Sequence, residues 1–437
     1  MEGGRRARDA SADDDDLGLH HVTSDASYPA MRVTRPRAAS PWILIVSVWL
    51  TLGVTFGLMF SFSVFLVPLL EEFRWSRGLA AGAFSLSAVM QGLLSPAIGT
   101  LCDRFGPRRL ILWGAVILGV SSLLASRITD VWHLYLVTGV LGAVAISALG
   151  WVPSAALITQ WFAQKQATML GLALSGMGVG VLTIGPLAQA LISAYGWRSA
   201  YLMLGAGTLA LLVPLVWFGV HEAPRTAPSP APRGAAPATS GGVRVRVALR
   251  TRAFWALFFA YMCTPLAVFT IVTHQVAFAV DQGFPRLFVA GIFGLTGFMS
   301  IVGRVVFGAA ADRIGRAWSA TISYACTAVG TLALLSVEIW THPAGLYLYA
   351  LLFGLGFGAR GPIITAIAAT LFPGRRFGAI YGYMSVGNGV GGALGPWFAG
   401  FLFDVTGSYR VPFLIATLFC VAGSVCFWLA EPKPPRE

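Results

Sequence analysis

Between Trp42 and Ala430 the chain runs again and again for roughly 20 residues without a charge. A helix rises about 1.5 Å per residue, so each such run is long enough to cross the ~30 Å hydrocarbon core of a bilayer. Only 11% of the 437 residues are charged, against about 25% in a soluble domain. That deficit excludes collagen-like, disordered, disulfide-scaffold and soluble-enzyme architectures. The 51 glycines and 24 prolines would be costly in water-soluble helices but are common in membrane helices.

The net charge is +12, from 30 basic and 18 acidic residues. The basic residues lie almost entirely in tails and loops, which makes them topology signals and contacts for anionic lipid, with no nucleic acid implied. The five cysteines are scattered and follow no metal-ligand spacing, so neither a metal site nor a disulfide framework is expected.

The predicted organisation is an all-α membrane protein with twelve spans, at 42–70, 79–101, 110–126, 131–158, 168–193, 199–220, 253–280, 287–310, 318–338, 345–371, 377–402 and 411–430. Residues 1–40 read as a disordered cytoplasmic tail, 41–221 as one six-helix bundle and 222–252 as a Pro-rich cytoplasmic linker. A second bundle follows over 253–430, and a short cytoplasmic tail over 431–437. With the N-terminal tail and the linker set aside, ten Lys/Arg fall on the side of the termini. Six fall opposite: Arg74, Arg77, Arg127, Arg198, Arg286 and Arg410. The positive-inside rule then places both termini in the cytoplasm, in a multi-pass protein of the inner membrane.

An internal repeat supports two equivalent halves. Gly99-Thr-Leu-Cys-Asp103-Arg104-Phe-Gly106-Pro-Arg108-Arg109 returns as Gly308-Ala-Ala-Ala-Asp312-Arg313-Ile-Gly315-Arg316, each time after the second span of its half. Gly185-Pro186 returns as Gly395-Pro396 in the fifth span. Two parallel six-helix repeats with this Asp-Arg loop resemble the major facilitator superfamily. Phe65-x-x-Pro68, Trp75-Ser76-Arg77, Trp161-Phe162, Gly171 to Gly176, Tyr195 to Arg198, His274 and Gly303-Arg304 resemble its monocarboxylate porter branch, which includes bacterial oxalate/formate exchangers. The chain departs from that branch at Lys165 and Gln166, where paired arginines are usual. It departs again at Ser300, where some members carry an acid.

Arg304 and Arg360 are the cations deep inside apolar runs. Each costs roughly 2.5–3.5 kcal/mol at the centre of a lipid-facing helix, so each is expected to face protein or a cavity. The repeat places Ser95 opposite Arg304 and Trp151 opposite Arg360, so the fold itself does not ask for arginine there. The planar guanidinium fork suits a carboxylate, and an anion site is the expectation. The alternative is a guanidinium bonded to backbone carbonyls at a helix break such as Gly361-Pro362. His274, in span 7, either carries a proton or binds substrate, or it is a hydrogen-bonded histidine near the mouth. Tyr383 and Asn388 in span 11 are candidate carboxylate donors, or else polar links between helices. The loop residues Asp103, Arg104, Arg108, Asp312, Arg313 and Arg316 are assigned to conformational gating, and the glycine rows Gly176/Gly178/Gly180 and Gly387/Gly389/Gly391 to close packing.

The resemblance implies a secondary transporter of a small organic anion, mono- or dicarboxylate, with protons or a counter-substrate as further partners. No cofactor is implied, no catalytic residue is assigned, and a monomer is expected. Drug or metabolite efflux in the same fold is the competing reading. A transporter-like receptor and a membrane enzyme are alternatives of other classes.

Overall fold

The computed structural model describes residues 41–162, 166–221, 245–358, 360–372 and 377–430, with the backbone alone at a few positions that include Asp103 and Asp312. The two predicted tails, residues 222–244 of the linker and the carboxylates of Asp103 and Asp312 lie outside the described residues.

Among the described residues regular structure is helical throughout and forms twelve rods. The first three are α1 (Pro41–Phe73), α2 (Arg77–Phe105) and α3 (Pro107–Ala125). The fourth, α4, is broken into Val131–Leu134, a π-helical stretch Tyr135–Leu141, Gly142–Leu149 and Trp151–Trp161. The run Gln166–Gly219 is split at Gly196, whose φ of 79° no helix contains, into α5 before it and α6 after it. Then come α7 (Arg252–Asp281), α8 (Arg286–Ile314) and α9 (Arg316–Ser336). The tenth rod, α10, has two pieces, Pro343–Phe357 and Arg360–Leu371, and α11 (Phe377–Thr406) and α12 (Arg410–Ala430) complete the set. Among the described residues nine helical runs are long and apolar enough to cross a membrane.

Local chemistry explains where the rods begin and turn. Ser76 caps α2 by accepting the Leu79 N–H at 3.2 Å, and Thr251 caps α7 by accepting from Phe254 at 3.2 Å. Gly106 and Gly315 sit at matching places in the repeat with φ of 84° and 90°, a left-handed turn that a side chain would strain. Inside the rods, hydroxyls turn back on their own helix, as Thr51 does to Ser47 O and Thr55 to Thr51 O, both at 2.7 Å. No hydroxyl in these pairs is left facing hydrocarbon unbonded.

Glycine decides how the rods pack. A Cβ on Gly180 would land on the carbonyl of Gly53, and one on Gly176 on that of Trp49, so α1 and α5 touch backbone to backbone. In the second half Gly387 and Gly391 press α11 onto the carbonyls of Phe258 and Met262 in α7. Gly389 differs from the packing expectation, since nothing lies within 4 Å of its would-be Cβ. The two halves meet along α1 and α7, where the repeat mates Phe60 and Phe269 stand edge to face at 6.1 Å.

Candidate functional site

Two seams join the first six rods to the last six, and both part toward the end that carries the two Asp-Arg loops. Along α2 and α11, Gly78 abuts Phe401, the Ser85 hydroxyl accepts the Trp397 N–H at 3.1 Å, and a Cβ on Gly392 would lie 3.3 Å from that of Ala88. One turn further on the same faces, Gly92 and Gly389 have no neighbour within 4 Å. Along α5 and α8, Gly185 meets Phe293, Gly294 meets Leu182 and Gly178 meets Ile301. The last link is the Arg304 Nη1, which donates to the Leu174 carbonyl at 3.0 Å. Beyond it, Gly171 and Gly308 have no neighbour within 4 Å among the described residues. A wedge therefore opens toward the end that carries the two Asp-Arg loops, and Arg304 sits at its apex.

The surroundings of Arg304 hold it there. A Cβ on Gly303 would land on the Leu355 carbonyl, which fixes α8 against the first piece of α10. A Cβ on Gly358 would fall 2.7 Å from the Arg304 Nε and 2.8 Å from its Cγ, so the glycine makes room for the side-chain stem. Arg304 is half-buried as a residue, and its guanidinium bonds a carbonyl. Ser300, one turn earlier, is buried and spends its hydroxyl on the Gly297 carbonyl at 2.7 Å.

Arg360 is placed differently. It is 0% exposed, at the head of the second piece of α10. Its Nη2 donates to Thr327 Oγ1 at 2.7 Å and to the Gly356 carbonyl at 3.0 Å, and its Cζ lies 4.3 Å from the centre of the Tyr324 ring. Among the described residues its Nε and Nη1 are buried without an oxygen or nitrogen hydrogen-bond partner. Among the described residues the ion pairs are Arg77–Asp281, Arg198–Glu72, Arg286–Glu71 and Arg410–Glu338, and neither Arg304 nor Arg360 is in one.

A scan against family models matches residues 48–359 and 292–437 to the Major Facilitator Superfamily. The chain belongs to this superfamily. Monocarboxylate transporter 13 from Bos taurus is 28% identical over 415 residues, covering 93% of this chain and 95% of the relative. Monocarboxylate transporter 11 from Homo sapiens is 27% identical over 415 residues, covering 90% and 84%. An uncharacterized MFS-type transporter from Bacillus subtilis is 24% identical over 372 residues, covering 82% and 87%. This chain is thus a multi-pass membrane transporter of the superfamily, related to monocarboxylate transporters, and not an enzyme.

Within the superfamily fold the other predicted residues fall in separate places. His274 is fully buried in α7 with both ring nitrogens engaged, Nε2 at 2.9 Å from the Pro396 carbonyl and Nδ1 at 3.0 Å from Tyr409 Oη. A carbonyl only accepts, so Nε2 carries the hydrogen, and in the neutral ring Nδ1 accepts from Tyr409. Asn388 is exposed and lies one turn before Gly392, on the wedge face of α11. Tyr383 is exposed nine positions before Gly392, two and a half turns away and so on the opposite face. Arg108 donates to the Trp217 carbonyl at 2.6 Å, and Arg316 to Thr370 Oγ1 at 2.7 Å and Ala366 O at 3.2 Å, each within its own half. Arg104 lies 5.2 Å from the centre of the Phe105 ring, and Arg104 and Arg313 are exposed. A polar trio not anticipated from sequence joins α7, α10 and α11, with the Tyr381 hydroxyl 3.1 Å from that of Tyr261 and 2.9 Å from Thr365 Oγ1. Its signal was two tyrosines and a threonine inside apolar runs.

Proposed function

We propose that the chain is a secondary transporter that moves a small monocarboxylate across the inner membrane by alternating access, with both termini in the cytoplasm. The observation that carries this reading is the position of Arg304, a cation with no acidic partner among the described residues, at the apex of an open wedge. One fork facing the wedge matches one carboxylate, which favours a monocarboxylate over a dicarboxylate. On arrival the anion replaces the Leu174 carbonyl as the acceptor of the Arg304 fork. Asn388 stands across the wedge as a neutral donor. Arg360, sealed inside the second half, acts through its positive field and touches no substrate in this conformation. The relatives' printed names support the substrate class, and a proton or a second anion completes the cycle.

The test is transport by purified protein in vesicles loaded with candidate monocarboxylates. Arg304→Gln should weaken binding about tenfold or more, the worth of one charge-assisted hydrogen bond. Arg304→Lys, which keeps the charge but loses the fork, should fall between the two. Saturable anion transport by Arg304→Gln with wild-type affinity would remove Arg304 from the site, and wild-type transport of a cation that no carboxylate inhibits would remove the whole reading.

A further inference from the structure

At the end opposite the Asp-Arg loops, one residue of the first half is bound by three rods of the second. Arg77, the first residue of α2, places its Nη2 2.7 Å from Asp281 Oδ2 at the end of α7. Its Nη1 donates to Tyr409 Oη at 2.7 Å, just ahead of α12. Its Cζ lies 4.0 Å from the centre of the Phe403 ring in α11. The backbone adds a second kind of bond. The N–H groups of Arg77 and Gly78 donate to Asp404 Oδ1 and Oδ2, both at 2.8 Å. The first N–H groups of a helix have no partner within it, and they carry the positive end of its dipole. A carboxylate from the other half of the molecule supplies both the bonds and the opposite charge.

This capture demands close approach. A Cβ on Gly400 would come within 2.6 Å of the Gly78 Cα, and one on Gly78 within 2.8 Å of the Phe401 nitrogen. Glycine on both sides lets α2 and α11 cross near enough for Asp404 to reach the helix end. Arg286 and Glu71 form a further ion pair across the same end. Arg198 and Glu72 form one at that end as well, but within the first half. A cavity of about 270 Å³ lined by Arg77, Asp281, Glu338, Phe403 and Tyr409 leads solvent down to the cluster.

We propose that Arg77, with Asp281 and Asp404, is the latch that holds this end of the transporter shut, so that its release sets how often the site opens to that side. The inference does not depend on which anion is carried. Breaking the seam strips both the Arg77 guanidinium and the head of α2 of their partners at once, whereas among the described residues the α5–α8 seam ends on the Arg304–Leu174 bond.

The test uses Ser85→Cys as a probe in the full-length protein. Ser85 is 7% exposed and accepts from Trp397 across the seam, so a thiol there is covered while the latch holds. A membrane-impermeant thiol reagent is applied to the face that carries the α1–α2 turn, with the protein lacking the probe as blank. Adding Arg77→Gln, or Asp404→Ala, should raise the labelling rate about tenfold or more, as expected when one charge-assisted link is lost from a two-state equilibrium. Arg198→Gln, which breaks a pair inside one half, should leave the rate unchanged. If Arg77→Gln reduces the amount of protein in the membrane, Asp281→Asn is read in the same way. Labelling that stays at the parent rate in the latch variants, or rises equally in Arg198→Gln, overturns the proposal.

Discussion

Two arginines in one half of this molecule have the same chemistry and different surroundings. Arg304 has Gly358 beneath its stem and an open wedge beyond its tip, while Arg360 is walled in by Thr327, Gly356 and Tyr324. A buried cation without a counter-charge opposes folding, and apolar replacements of buried charges are often neutral or stabilising. Arg360→Met should therefore unfold at or above the wild-type temperature in detergent, while anion uptake slows but still saturates. A clear fall in the melting temperature would mean that the carbonyl and hydroxyl bonds of Arg360 outweigh its desolvation. Both arginines were legible in the sequence, because a charge among apolar residues stands out. What separates them was not, since it depends on neighbours 33 and 130 positions away. Arg77 was read as a loop charge and part of a family motif but not as a link between the halves, for its carboxylate partner through the backbone is 327 positions distant.

At the scale of elements, hydropathy alone located all twelve rods to within a few residues, because bilayer thickness fixes their length. The breaks were harder to place. The expected break at Gly361-Pro362 lies just before it, after Phe357, and the π-helical stretch in α4 carries no hydropathy signal. Tyr383 shows the same limit, since being polar in a span does not say which face of the rod is lined by partners. Crossings are where element-scale energetics concentrate. Gly180→Ala would drive a methyl into the Gly53 carbonyl and should cost about 1–3 kcal/mol, as overpacking does. Gly92→Ala meets no described atom within 4 Å and should not lower stability, since alanine favours a helix interior over glycine. Melting temperatures of the two variants in one detergent compare them directly, and equal values would contradict the packing described for α1 and α5.

Over the whole molecule, the repeat predicted two equivalent halves, and the left-handed turns at Gly106 and Gly315 follow it. The repeat could not reveal that, among the described residues, the halves touch at one end and part at the other, because a symmetric pattern holds no information about which seam is closed. The Ala88–Gly392 crossing allows this asymmetry to be fixed chemically. A Cβ on Gly392 stands 3.3 Å from that of Ala88, close to the ~3.5–4.5 Å of disulfide-bonded cysteines. The double variant Ala88→Cys/Gly392→Cys should cross-link under mild oxidation, stop transport, and recover it on reduction. Undiminished transport by the cross-linked protein would show that this seam need not part.

The bond between Asp404 and the first two amides of α2 has one more consequence. Those amide hydrogens are bonded to Asp404 only while the halves touch, and on the proposed latch they are freed to water when the halves separate. Their replacement by deuterium therefore quickens as that end spends more time open, and reports its opening in the unmodified protein. The backbone itself keeps a record of the transport cycle.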